Sequence, residues 1–235
     1  MYYFAAIILA DAVMQFLLLP LYIRLKHKMR FAPLKITIKG FMTFIAVAFC
    51  ACGIYMLYVQ THDIHNLVSA TGFHTDIMVL IGLCICMLAD VMLVIYFPVG
   101  MLMFLAGHIC YIIYFLRLAP FNTVSLVIMA GPAIIAGSYF SKYKEKMGRL
   151  LPAFYVYGAV ILCTFSIGIL LPFSIGPYGV IPAISAVMLV ISDFMLAANK
   201  FVAKNTFSDL MYLGYYFSGQ FFLAMSVFVP VAFNL

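Results

Sequence analysis

Eight apolar stretches of about 18 to 25 residues, bounded by proline, glycine and charge, constrain this chain more than any other feature. They run approximately over Tyr2–Ile23, Lys39–Tyr58, Ile77–Phe97, Val99–Leu116, Thr123–Phe140, Leu151–Leu171, Tyr178–Phe201 and Ser208–Ala232. A soluble domain needs a polar exterior, which a chain with 67% apolar and 9% charged residues and a mean hydropathy of +1.18 does not supply. The expected fold is therefore all-α: one transmembrane helical domain over residues 1–235, a bundle of about eight membrane-spanning helices. Pro98, Pro120, Pro152, Pro172 and Pro177 fall in or beside connections, and Pro132 and Pro182 are read as lying near helix starts. Met1-Tyr2-Tyr3-Phe4 lacks a basic leader, so the first stretch is expected to be a retained span.

The net charge of +6 suggests nucleic acid only until its distribution is read. Twelve of the 13 basic residues lie in the first, fifth and seventh connections: Arg24, Lys26, Lys28, Arg30, Lys35, Lys39, Lys142, Lys144, Lys146, Arg149, Lys200 and Lys204. Arg117 alone lies on the other side. The positive-inside rule then puts both termini outside and the odd connections in the cytoplasm. The charge is a topology signal, not a nucleic-acid surface. A bacterial inner membrane, or the endoplasmic reticulum in a eukaryote, is the expected location.

Two acids interrupt this pattern. Asp90 sits in GLCICMLADVMLV (82–94) and Asp193 in MLVISDFMLAANKF (188–201). An ionisable group inside a span is costly and marks a functional site by default. Asp90 lies seven residues before Phe97 and Asp193 seven before Lys200, so each is about 10 Å from the cytoplasmic end of its helix. Equal depth is what a shared site requires. His108 and Tyr111 share a face of the fourth helix, and Asp209, Tyr212, Tyr216 and Gln220 form a stripe along the eighth. Ser192 and Asn199 flank Asp193. Asp11 and Gln15 form a further polar pair, read as packing.

The cysteines Cys50, Cys52, Cys84, Cys86, Cys110 and Cys163 all fall in apolar runs and are read as small buried hydrophobes. Neither a disulfide framework nor a metal site is expected, and His62, Asp63, His65, His74 and Asp76 are read as a solvated loop.

Four segments resemble the YhhN-like lysoplasmalogenases, eight-helix membrane proteins. GLCICMLADVML is similar to that family's G-D-x-x-L segment, with Ala89 before the acid. FLAGHICYIIYF is similar to G-H-x-x-Y, ISDFMLAANKF to S-D-x-x-L-A-x-x-K-F, and YFSGQ to Y-Y-x-A-Q with Phe217 and Gly219 as departures. Lys39-Gly40 stands where the family has Lys-Pro. The resemblance implies hydrolysis of the vinyl ether of lysoplasmalogens to a fatty aldehyde and a glycerophospho-alcohol. It carries the catalytic acids onto Asp90 and Asp193 and requires no cofactor.

Vinyl ethers are cleaved by acid, so one carboxyl would protonate the vinyl carbon while a second carboxylate stabilises the cation or activates water, as in glycoside hydrolysis. His108, Tyr111, Tyr216 and Gln220 would orient acids and water. Lys39, Lys200 and Asn199 would meet the lysophospholipid headgroup, with the substrate drawn from the surrounding membrane lipids. The competing reading is a proton-coupled transporter or lipid flippase. Paired intramembrane acids also serve as proton relays, and A/S-D-x-M-L, shared by the third and seventh helices, hints at a weak four-plus-four parallel repeat.

Overall fold

A computed structural model describes residues 9, 19–22, 32–61 and 73–232. Among these the chain is helical throughout, with no strand. The helices are α1 (Ala32–Thr61), α2 (Phe73–Ile95), α3 (Phe97–Leu118), α4 (Thr123–Ser141), the short α5 (Lys144–Met147), α6 (Leu151–Gly168), the short α7 (Leu171–Ile175), α8 (Val180–Phe201) and α9 (Thr206–Ala232). Among the described residues five stretches are long and apolar enough to cross a membrane, the last of which, Lys144–Phe201, is broken into α6 and α8 by the α7 turn. The protein is a polytopic membrane helix bundle.

Most boundaries fall within a few residues of the apolar runs. The expected first span, Tyr2–Ile23, and the polar pair Asp11 and Gln15 lie largely or wholly outside the described residues, though Leu9 and residues 19–22 are helical. His62, Asp63 and His65 also lie outside them, and for His74 and Asp76 only the helical backbone is described. Three boundaries need correcting. α1 begins at Ala32 rather than Lys39, so Lys35 and Lys39 belong to the helix and not to a connection. The break between α2 and α3 is one extended residue, Tyr96 (φ −147°, ψ 98°), and Phe97 starts the following helix with Pro98 in its first turn. Pro132 is not near a helix start but in the middle of α4.

Local chemistry explains the other ends. Asn122 caps α4, its side chain accepting from the Ser125 amide at 3.0 Å. The turns after α5 and α7 are made at Gly148 (φ 51°) and Gly176 (φ 68°), where a left-handed backbone suits glycine.

α2 with α3, and α8 with α9, are the two most closely packed helix pairs, and α1 lies against α2 and α9. Lipid supplies no hydrophobic drive between helices, so close approach rests on small residues and polar staples. A Cβ at Gly82 would stand 2.4 Å from the Tyr111 ring and one at Gly107 2.5 Å from Cys86 Sγ, so these glycines let α2 and α3 touch. Ser185 Oγ donates to the Gly219 carbonyl (2.7 Å) and Ser192 Oγ to the Tyr212 carbonyl (2.9 Å), which fixes α8 on α9. α9 is the central helix, with no exposed residue between Tyr212 and Val227. α4 is peripheral: it packs mainly on α6 and buries only Ser125 and Phe140.

Candidate active site

Asp90, on α2, is completely buried, with an ion pair at one oxygen and hydrogen bonds at the other. Lys39 Nζ of α1 lies 2.7 Å from Oδ1, and Oδ2 accepts from Thr43 Oγ1 (2.5 Å) and from the Tyr216 hydroxyl of α9 (2.9 Å). Thr43 follows Lys39 by four residues, which puts both on the α1 face that meets α2. A buried carboxylate survives in a low-dielectric interior only when paired and hydrogen-bonded, and both conditions are met here.

Asp193, on α8, is held differently. His108 Nε2 of α3 stands 3.4 Å from its Oδ2, and Tyr157 of α6 lies within electrostatic range of the same carboxylate. The Tyr157 ring also meets His108 edge-on at 6.2 Å. Among the described residues Asp193 Oδ2 and His108 Nδ1 are buried without a hydrogen bond, as is Asp90 Oδ1; the difference is that Asp90 Oδ1 has the Lys39 ammonium at 2.7 Å, whereas Asp193 Oδ2 has only His108 at 3.4 Å. Unmet polar atoms are rare in membrane interiors, and a cluster of them marks a place where something else binds.

A third group bridges the two acids. The Tyr111 hydroxyl donates to Gln220 Oε1 at 2.7 Å and lies 3.4 Å from Cys86 Sγ, while its ring meets His108 edge-on at 5.6 Å. Gln220 Nε2 has no hydrogen bond among the described residues. Cys86 and Tyr157 are each within electrostatic range of both carboxylates. The ring centroids of Phe97, two residues beyond the end of α2, and Phe201, the last residue of α8, lie 6.3 Å apart, which brings those two helix ends together. Counting back from Ile95 and Phe201 puts the acids about 8 and 12 Å from their helix ends. No hydrogen bond or ion pair among the described residues joins the two carboxylates, which occupy adjoining clusters.

Two clefts meet beside Asp193. The first, about 320 Å³, is walled by α3, α4, α6 and α8 and is lined by Phe104, Met129, Ala133, Gly158 and other apolar residues, with Asp193 as the one charged group. The second, about 690 Å³, lies where α2 and α8 end and α9 begins, and holds Lys39, Lys146, Lys200 and Lys204 against a single acid, Asp209. Leu93, Phe97, Leu196 and Phe201 line both. Lys200 Nζ lies over the Phe97 ring at 4.4 Å, at this shared collar. Asp90 lines neither cleft.

The residues singled out in the sequence are thus divided. Asp90, Lys39 and Tyr216 form one cluster, Asp193 and His108 another, and Tyr111 and Gln220 the bridge. Asn199 and Lys200 line the basic cleft, but the side chains of Asn199 and Ser192 donate to Asp209 Oδ1 (3.3 Å) and the Tyr212 carbonyl (2.9 Å) rather than to Asp193. Thr43 and Tyr157 escaped the sequence reading. Thr43 had a signal, its place one turn beyond Lys39; Tyr157 is one aromatic in an apolar run and had none. The arrangement can bind an anion at one end, an apolar chain at the other, and move a proton at Asp193 between them.

Among known proteins, the model of the YhhN family matches residues 34–227, a span that includes both acids and all three clusters. No curated protein and no solved structure gives a match.

Proposed function

The chain belongs to the YhhN family, and from that premise we propose that it is a membrane hydrolase that cleaves the vinyl ether of lysoplasmalogens. The observation that carries this reading is the joining of an apolar cleft and a four-lysine cleft at a collar beside Asp193. A lysophospholipid has the same layout: one hydrocarbon chain, a reactive ether next to the glycerol, and a phosphate. The lysines lie in connections or helix ends that the positive-inside rule assigns to the cytoplasm, so the phosphate enters from that leaflet.

Asp193 is the proton donor in this scheme. Its carboxyl transfers a proton to the vinyl carbon distant from the ether oxygen, leaving an oxocarbenium ion. The Asp193 carboxylate stabilises that cation and then takes a proton from the water that attacks it. The resulting hemiacetal breaks its bond to the glycerol oxygen, which leaves as an alcohol, and the chain is released as an aldehyde. One water is consumed and the acid is regenerated. His108 and Tyr157 orient the carboxyl. Asp90 acts at a distance by holding Lys39, whose ammonium faces the phosphate.

The test is aldehyde release from a lysoplasmalogen by the purified protein in detergent, read by a coupled alcohol dehydrogenase. The expected result is aldehyde from the wild type without any ion gradient and none from Asp193→Asn. The paired intramembrane acids also fit a proton-coupled transporter or flippase. Movement of unaltered lipid across proteoliposomes, with no aldehyde formed, would replace the hydrolase reading with that one.

A further inference from the structure

The apolar cleft is longer than one reacting bond requires. Its α4 wall starts at Phe140, whose ring lies 5.2 Å from that of Phe194, the residue next to Asp193. From there it runs back through Gly137 and Ala133 to Met129, and 11 residues of helix at 1.5 Å each carry it about 16 Å from the Phe140 level. The α6 wall starts at Phe154, with its ring 5.0 Å from Phe140, and passes Gly158 on the way to Leu162, about 12 Å further. A Cβ at Gly158 would meet nothing within 4 Å. At the near end the Asp193 side chain, nine-tenths buried, is the one charged group in a largely apolar lining. Beyond the collar stand the lysines.

We propose that the trough binds the hydrocarbon chain of the substrate from Asp193 outward, and that Gly158 and Ala133 set the chain length it accepts. The chemistry rests on the hydrolase reading; the binding does not. An anionic amphiphile with its phosphate among the lysines has one direction in which to extend its chain, past the acid and between α4 and α6. Each further methylene buried there raises affinity about fourfold. A leucine at Gly158 occupies the trough about 6 Å past the Phe154 level, and one at Ala133 about 10 Å past the Phe140 level, so the two set different limits. Leucine is a good helix former, so both substitutions are compatible with the helical backbone.

The experiment compares wild type, Gly158→Leu and Ala133→Leu on lysoplasmalogens with chains of eight to eighteen carbons, reading kcat/KM for aldehyde release. In parallel, saturated lysophosphatidylcholines of the same lengths displace a fluorescent lysophospholipid. Gly131→Leu is the control: that glycine is on α4, exposed, also with nothing within 4 Å, and is not part of the trough. Both variants should lose about tenfold or more on the longest chains and little on the shortest, with the cut-off shorter for Gly158→Leu, while Gly131→Leu matches wild type. A displacement series that is indifferent to length, or unchanged by both variants, overturns the proposal. Length-dependent displacement without aldehyde from any chain sinks the hydrolase reading alone and leaves the chain site standing.

Discussion

Asp90 and Asp193 share a local sequence, A-D-V-M-L against S-D-F-M-L, and lie within a few turns of the same ends of their helices, yet their surroundings differ. Asp90 is sealed between α1, α2 and α9 with Lys39, Thr43 and Tyr216 around it. Asp193 lines a cleft and has His108 at 3.4 Å. One is held by three close partners, and the other has fewer and stands at a cavity wall. The difference lies in what the neighbouring helices present, and on the proposed reading it separates a group that stabilises from one that reacts.

The strongest test of that contrast is removal of Asp90. Asp90→Ala strands a buried ammonium and should cost about 3–5 kcal/mol, seen as a large drop in the thermal midpoint in detergent. The double change Asp90→Leu with Lys39→Met removes both charges and should recover most of that loss; a double variant no more stable than Asp90→Ala would break the anchor reading. Asp193→Asn is the mirror experiment. It should leave the midpoint within about 1 kcal/mol of wild type and lower aldehyde release at least about a hundredfold. If its melting suffered as much as that of Asp90→Ala, the two acids would be alike after all.

The bridge between them is the next place to press. Tyr111→Phe removes the donor to Gln220 and should cost about 1–3 kcal/mol, because Oε1 joins Nε2 in having no partner; a midpoint equal to wild type would show that the bridge carries no strain-bearing bond. The smallest effect is expected at the rim. Lys204 is exposed, so Lys204→Gln should raise KM only a few-fold with kcat unchanged, and added salt should reduce the gap between variant and wild type.

Much of this was readable in the chain. Apolar runs and basic connections give an all-helical membrane bundle, and Pro98 and Gly100 mark the α2–α3 break to within a residue or two. The start of α1 was misread for a physical reason: a lysine reads as the end of an apolar run, but Lys39 is neutralised by Asp90 and can lie one turn and more inside the helix. Likewise, sequence spacing puts His108 and Tyr111 on one face, since that is a property of a single helix. It does not say which acid His108 will meet, because that depends on how α3 sits against α8. Asp90 and Asp193 were indistinguishable for the same reason. Their own helices are alike, and only Thr43 and Lys39 from α1, or Tyr157 from α6, tell them apart.

The loosely held α4 has a kinetic consequence. It presents Val127, Ile134 and Ile135, each more than two-thirds exposed, on the side away from the bundle, and forms one wall of the trough. On the proposed hydrolase reading, a lipid reaching Asp193 past this helix arrives by diffusion in two dimensions, so the quantity that saturates the protein is the mole fraction of substrate in the membrane or micelle, not its molar concentration in the tube. Added detergent then slows turnover by dilution of the surface, without touching the protein.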